Sequence, residues 1–136
     1  MIVGVIGNGA IARHLGAHIG SSDHTLGAIL LRPERRRENP GEGHFYSVED
    51  LPANLDLVID CAGHTALAAN AAQILRRGTD LVTVSLGALA DRRLFDQLRD
   101  AARSGNSTLH LASGAIGALD CLQAARTGRL DKVTYV

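Results

Sequence analysis

The chain of 136 residues carries 14 Lys and Arg against 14 Asp and Glu, so its formal net charge is zero. That length suits a single domain that buries its own core, and a hydrophobic fraction of 46% with balanced charge excludes an intrinsically disordered chain. The neutral balance argues against phosphate-driven nucleic-acid binding, an aromatic content of 3% argues against base stacking, and no apolar run is long enough to cross a bilayer.

The predicted elements alternate in type. Residues Ile2 to Ile6 are apolar and largely β-branched, as a buried parallel strand requires. Gly7-Asn8-Gly9 breaks the run, and Ala10 to Ile19 repeats its apolar positions at helical spacing. Thr25 to Leu31 reads as a second strand, and the charged, Pro/Gly-punctuated Arg32 to Gly43 as a surface loop. A short strand fits His44 to Tyr46. A stronger one fits Asp56 to Cys61, followed by a helix over Ala66 to Arg77 with Gly78 as its stop. Leu81 to Ser85 is the next strand. Asp91 to Ser104 is an amphipathic helix with an acid at its positive end, stopped by Gly105. Thr108 to Ala112 is a strand, Ile116 to Thr127 a helix ended by Gly128, and Lys132 to Val136 the start of a last strand.

Strands joined by crossover helices imply a parallel sheet covered on both faces. The expected fold class is therefore α/β, a single-domain, doubly wound parallel sheet of the Rossmann type. A strand pattern running into the last residue is expected of a chain that once continued, or that continues in a parent protein.

Gly7-Asn8-Gly9-Ala10-Ile11-Ala12 matches G-x-G-x-x-[GA] where that pattern has physical meaning, between a strand and a helix. Gly7 permits the tight turn, Gly9 lets the backbone approach a pyrophosphate, and Ala12 allows close helix–strand packing; the helix start supplies free N–H groups. An acid at the end of the second strand would select the ribose 2′-hydroxyl of NAD. Here Arg32 stands there instead, with Arg35, Arg36 and Arg37 behind it. A guanidinium suits a 2′-phosphate, so NADP is expected to be accepted, the alternative being a solvated loop face. Three further small-residue turns follow later strands: Cys61-Ala62-Gly63-His64, Ser85-Leu86-Gly87-Ala88 and Ser113-Gly114-Ala115-Ile116-Gly117. They fall on the edge where open α/β sheets bind ligands.

Other candidates carry less. His14 and His18 share a helix face but lack further ligands nearby, so no metal site is expected. Cys61 and Cys121 form no disulfide framework, and a free thiol ending a strand is usually a small buried apolar group. The default compartment is the reducing cytoplasm. Ser85 and Ser113 lie in no nucleophile elbow. Asp60 either caps the turn after its strand or sits near the ligand. His64, at the binding edge, is expected to position cofactor or substrate.

The same runs carry a family resemblance. Cys61 to His64, Val84 to Asp91 and Ser113 to Asp120 resemble the N-terminal half of L-aspartate dehydrogenases, and the likeness covers essentially the whole chain. It implies oxidation of L-aspartate with NAD or NADP to iminoaspartate, which hydrolyses to oxaloacetate and ammonia, in the service of nicotinamide cofactor synthesis. By that resemblance Gly7, Gly9, Ala10 and Ile11 would meet the pyrophosphate. Ala62, Gly63, His64, Ser85 and Ala115 would face the ribose and nicotinamide end. The family's catalytic His lies in a C-terminal substrate domain absent from this chain, so no catalytic residue is expected here and the isolated domain should turn over little. The expected partners are a nicotinamide dinucleotide and, in the full enzyme, a small amino acid, with no nucleic acid and no membrane. Assembly into a homo-oligomer stays open. The alternatives are the equivalent domain of a homoserine-dehydrogenase-like or dihydrodipicolinate-reductase-like enzyme, or a non-catalytic nucleotide sensor.

Overall fold

The computed structural model describes residues 1–36, 41–112 and 132. The expected helix at Ile116 to Thr127 and, Lys132 apart, the expected strand at Lys132 to Val136 lie outside the described residues.

Six strands form one parallel sheet: β1 (Ile2–Ile6), β2 (Thr25–Leu30), β3 (His44–Phe45), β4 (Leu57–Asp60), β5 (Asp80–Thr83) and β6 (Leu109–Leu111), in the spatial order β3-β2-β1-β4-β5-β6. Three α-helices connect them: α1 (Ala10–Gly20), α2 (His64–Arg76) and α3 (Arg92–Gly105). The chain winds outward from β1 to β2 and β3, then returns to β4 on the other side of β1. Strand order thus reverses between β1 and β4, which opens a crevice at their carboxyl ends.

Alternation along β1 shows how the two faces are covered. Val3 and Val5 pack with Ala12 and Ile19 of α1. Ile6 belongs instead to the larger core, with Val58, Leu81, Leu67 and Leu75 of α2 and Leu98 of α3. Successive strand side chains point to opposite faces, so α1 covers one face while α2 and α3 cover the other. Leu67, Ile74, Leu75, Leu81 and Leu98 are fully buried, and burying each contributes about 1.5–3 kcal/mol.

The boundaries depart from expectation in physically instructive ways. β4 ends at Asp60, because the Asp60 carboxylate accepts the Ala62 N–H at 3.0 Å and bends the chain out of the ladder. β5 ends at Thr83 for a related reason: the Ser85 N–H is taken by the Thr83 hydroxyl at 2.9 Å. α2 begins at His64, two residues earlier than expected, directly after Gly63. Two short 3-10 turns, Pro33–Arg35 and Leu86–Ala90, occupy segments expected to be irregular. α3 retains Gly105 and is stopped by Asn106, left-handed at φ 50°; Asn tolerates that conformation. Gly105 serves a different purpose: a Cβ there would stand 1.9 Å from the Leu75 carbonyl oxygen, so its bare backbone lets α3 lie against α2. Among the described residues no helix is long and apolar enough to cross a membrane.

Candidate functional site

The crevice is built by two turns that touch. Gly7 leaves β1 at φ +99° and donates its N–H to the Leu30 carbonyl at 2.9 Å, which holds the turn beside the end of β2. That φ is open to glycine and costly for other residues. Across the crevice, a Cβ on Gly7 would stand 3.1 Å from the Ala62 methyl.

The two helices that follow β1 and β4 both start bare. Gly9 caps α1 and Gly63 caps α2; neither helix has a side-chain cap or an acid in its first turn. α3, which follows β5 and the Leu86–Ala90 turn, is treated differently. The Asp91 carboxylate accepts from the Arg93 and Leu94 N–H groups at 2.9 and 3.4 Å. Bare N-termini leave unpaired donors and the positive end of the helix dipole facing outward, which favours an anion. Among the described residues, chain neighbours apart, nothing lies within 4 Å of where a Cβ on Gly9 would be, so the space before α1 is open on their side. Ala10 and Ile11 form the exposed first turn, Ile11 at 63% exposure. An apolar recess of about 220 Å³ runs from Gly7 and Asn8 beneath α1 to Gly16 and Leu26.

The remaining expected residues divide. Arg32 lies exposed just past β2, next to the Leu30 carbonyl that receives the Gly7 N–H. Arg35 and Arg36 are also exposed, and the Arg36 guanidinium lies 5.8 Å from the centroid of the Tyr46 ring. Ala62 and Gly63 form the turn before α2. His64, the exposed first residue of α2, sets its ring against the β5–α3 turn, where a Cβ on Gly87 would meet it at 2.9 Å. Ala115, Ser113, Asp120 and Arg37 lie outside the described residues.

Ser85 is drawn inward. It is 5% exposed and donates its hydroxyl to Asp60 Oδ2 at 2.7 Å. Asp60 is fully buried. It takes the Thr83 hydroxyl on the same oxygen at 3.0 Å and the Ala62 N–H on Oδ1. Sequence reading left the role of Asp60 open and missed Thr83; the available signal was a carboxylate closing an otherwise apolar strand. Cys61, expected as a small buried apolar group, is only half-buried, and burial followed by the charge of Asp60 pushes its thiol pKa up. His14 and His18 stand exposed on α1, and His110 is exposed beside Asp80. Among the described residues no group of three or more His, Cys, Asp or Glu gathers as a metal site would need.

These features fit a dinucleotide: an open backbone before one helix, two uncapped helix starts, no acid in either first turn, and an arginine at the end of β2. Comparison with known proteins agrees. Residues 3–112 match the family model described as homoserine dehydrogenase, NAD binding domain. The L-aspartate dehydrogenase of Ruegeria pomeroyi is 46% identical over 98% of this chain and 49% of its own length. Among solved structures, aspartate dehydrogenase from Thermotoga maritima superposes with a TM-score of 0.72 at 24% identity, over 93% of this chain and 52% of that one. An engineered D-amino acid dehydrogenase bound to NADP+ superposes with a TM-score of 0.73 at 19% identity, over 93% and 41%. At those identities the structures speak for the fold alone. The chain spans about half the length of the curated relatives it matches. It belongs to the NAD-binding domain family of the homoserine dehydrogenase type, its curated relatives are L-aspartate dehydrogenases, and its cofactor is a nicotinamide dinucleotide.

Proposed function

We propose that this chain is the cofactor-holding half of an L-aspartate dehydrogenase, in which L-aspartate gives up a hydride to NAD or NADP to become iminoaspartate, which water hydrolyses to oxaloacetate and ammonia. The observation that carries the reading is the pair of bare helix starts, α1 at Gly9 and α2 at Gly63, flanking the crevice between β1 and β4. Gly7, Gly9, Ala10 and Ile11 receive the diphosphate: their backbone donors and the dipole of α1 hold its charge. By the family resemblance, Ala62, Gly63, His64, Ser85 and Ala115 are the residues assigned to the ribose and nicotinamide end. Arg32 clamps a 2′-phosphate, so NADP is accepted as well as NAD. When bound, the nicotinamide supplies two-electron, hydride-accepting chemistry; the chain's own part is orientation and charge. Proton transfer belongs to residues beyond this half, so the chain alone turns over little. The half-buried free thiol of Cys61 suits a reducing cytoplasm.

Calorimetric titration of the 136-residue chain with NAD and with NADP, followed by assays of the complete gene product with aspartate and with homoserine, tests this reading. Binding of a dinucleotide and aspartate-dependent reduction are expected. Absence of binding at saturating cofactor overturns it. Binding with turnover of homoserine in place of aspartate would move the chain to the homoserine dehydrogenase branch that the family description names.

A further inference from the structure

Asp60 is a fully buried carboxylate surrounded by donors: the Ala62 N–H at 3.0 Å on one oxygen, and the Thr83 and Ser85 hydroxyls at 3.0 and 2.7 Å on the other. Each contact comes from the carboxyl edge of the sheet. Ala62 belongs to the turn that meets Gly7, Thr83 ends β5 and Ser85 lies in the turn after it. An ionised carboxylate only accepts, so both hydroxyl hydrogens point inward to it. The Thr83 oxygen also accepts the Ser85 N–H at 2.9 Å. The Ser85 oxygen, its hydrogen committed to Asp60, has only lone pairs left to offer.

We infer that Asp60 is a positioning residue that fixes the Ser85 hydroxyl as a hydrogen-bond acceptor, and that the ligand group received there is the N–H donor of the nicotinamide carboxamide. This rests on the dinucleotide reading above and deepens it. Phosphates only accept and are turned away by a lone-pair oxygen, ribose hydroxyls both donate and accept, and the adenine amine lies at the far end of the dinucleotide. The carboxamide NH2 only donates. Because Ser85 is 5% exposed, a group reaching its hydroxyl leaves water behind, and a mismatched polarity there costs binding.

The test compares NAD with its 3-acetylpyridine analogue, in which a methyl ketone replaces the carboxamide and removes its N–H donors. Dissociation constants are measured by calorimetry on the 136-residue chain, with thermal unfolding in parallel. Wild type should bind NAD about fivefold more tightly than the analogue, the worth of one neutral hydrogen bond. Ser85→Ala, which leaves Asp60 with two donors, should bring the ratio to about one. Asp60→Asn should do the same or invert it, since an amide NH2 donates to both hydroxyl oxygens and frees the Ser85 hydrogen to turn outward. A purely structural Asp60 would lower the unfolding temperature and leave the ratio untouched. If wild type binds NAD and the ratio stays unchanged in Ser85→Ala, the inference is overturned while the dinucleotide reading stands. If wild type binds neither compound, nor NADP, both fall.

Discussion

The turn after β1 and the turn after β4 touch through one pair of residues: a methyl placed on Gly7 would stand 3.1 Å from the Cβ of Ala62. The crevice therefore has walls in contact at its base, and Gly7, at φ +99°, has neither the space nor the backbone conformation for a side chain. Gly7→Ala should destabilise the fold by about 1–3 kcal/mol, the cost of forcing a residue into a sparsely allowed conformation. Urea denaturation checks this, and a variant as stable as wild type would show that the turn relaxes freely.

Gly9 separates fold from function. Its backbone is extended at φ −79°, and a Cβ there meets nothing within 4 Å among the described residues, chain neighbours apart. Gly9→Val should cost less than about 1 kcal/mol of stability, yet place its methyls where a diphosphate must lie. Dinucleotide affinity should drop at least about tenfold, or about 1.4 kcal/mol, read by the same titration.

Asp91 provides the opposite case. Its carboxylate caps α3 through the Arg93 and Leu94 N–H groups, so those donors are already taken. Asp91→Ala should cost about 1 kcal/mol and lower the melting temperature by a few degrees. Cofactor affinity should stay at the wild-type value, and calorimetry on the variant would expose any coupling.

Arg32 stands exposed where an NAD-selective site would hold an acid. Arg32→Ala should weaken NADP about tenfold, within the range of one charge-assisted hydrogen bond, and leave NAD nearly unchanged. The NADP effect should shrink as salt is raised, because the guanidinium is open to solvent. An equal loss for both cofactors would place Arg32 elsewhere than at the 2′-phosphate.

Burial, then the charge of Asp60, raises the Cys61 thiol above its ordinary value. The folded state thus favours the protonated thiol. Its stabilisation is fully present below the unfolded pKa, about 8.5, and is lost as pH rises through the higher folded value. Iodoacetamide labelling followed by peptide mapping should find Cys61 slower at pH 8 than in the urea-unfolded chain. Its rate should keep climbing above pH 9. Equal rates in both states at pH 8 would contradict the raised thiol.

Much of this fold was legible because its signals are local. The apolar run Ile2 to Ile6, the glycines after it and the stripe of the Asp91 helix each depend on residues within a turn or two of one another. The glycine turn was legible for the same reason: its geometry follows from lost side chains at adjacent positions. The edges of elements were not, because β4 and β5 stop where Asp60 and Thr83 capture nearby N–H groups, and side-chain capture is invisible to periodicity.

Sequence by itself determined the alternation of strands and helices and the bare turn that opens α1, since both follow from short-range sterics and apolar spacing. Only the tertiary structure decided that Asp60 faces Thr83, directly across the β4–β5 ladder, with Ser85 folded back onto the same carboxylate. Those residues lie 23 and 25 positions apart. Their meeting depends on the register of two parallel strands, which is set by how α2 packs its apolar face on the sheet rather than by anything either segment carries alone.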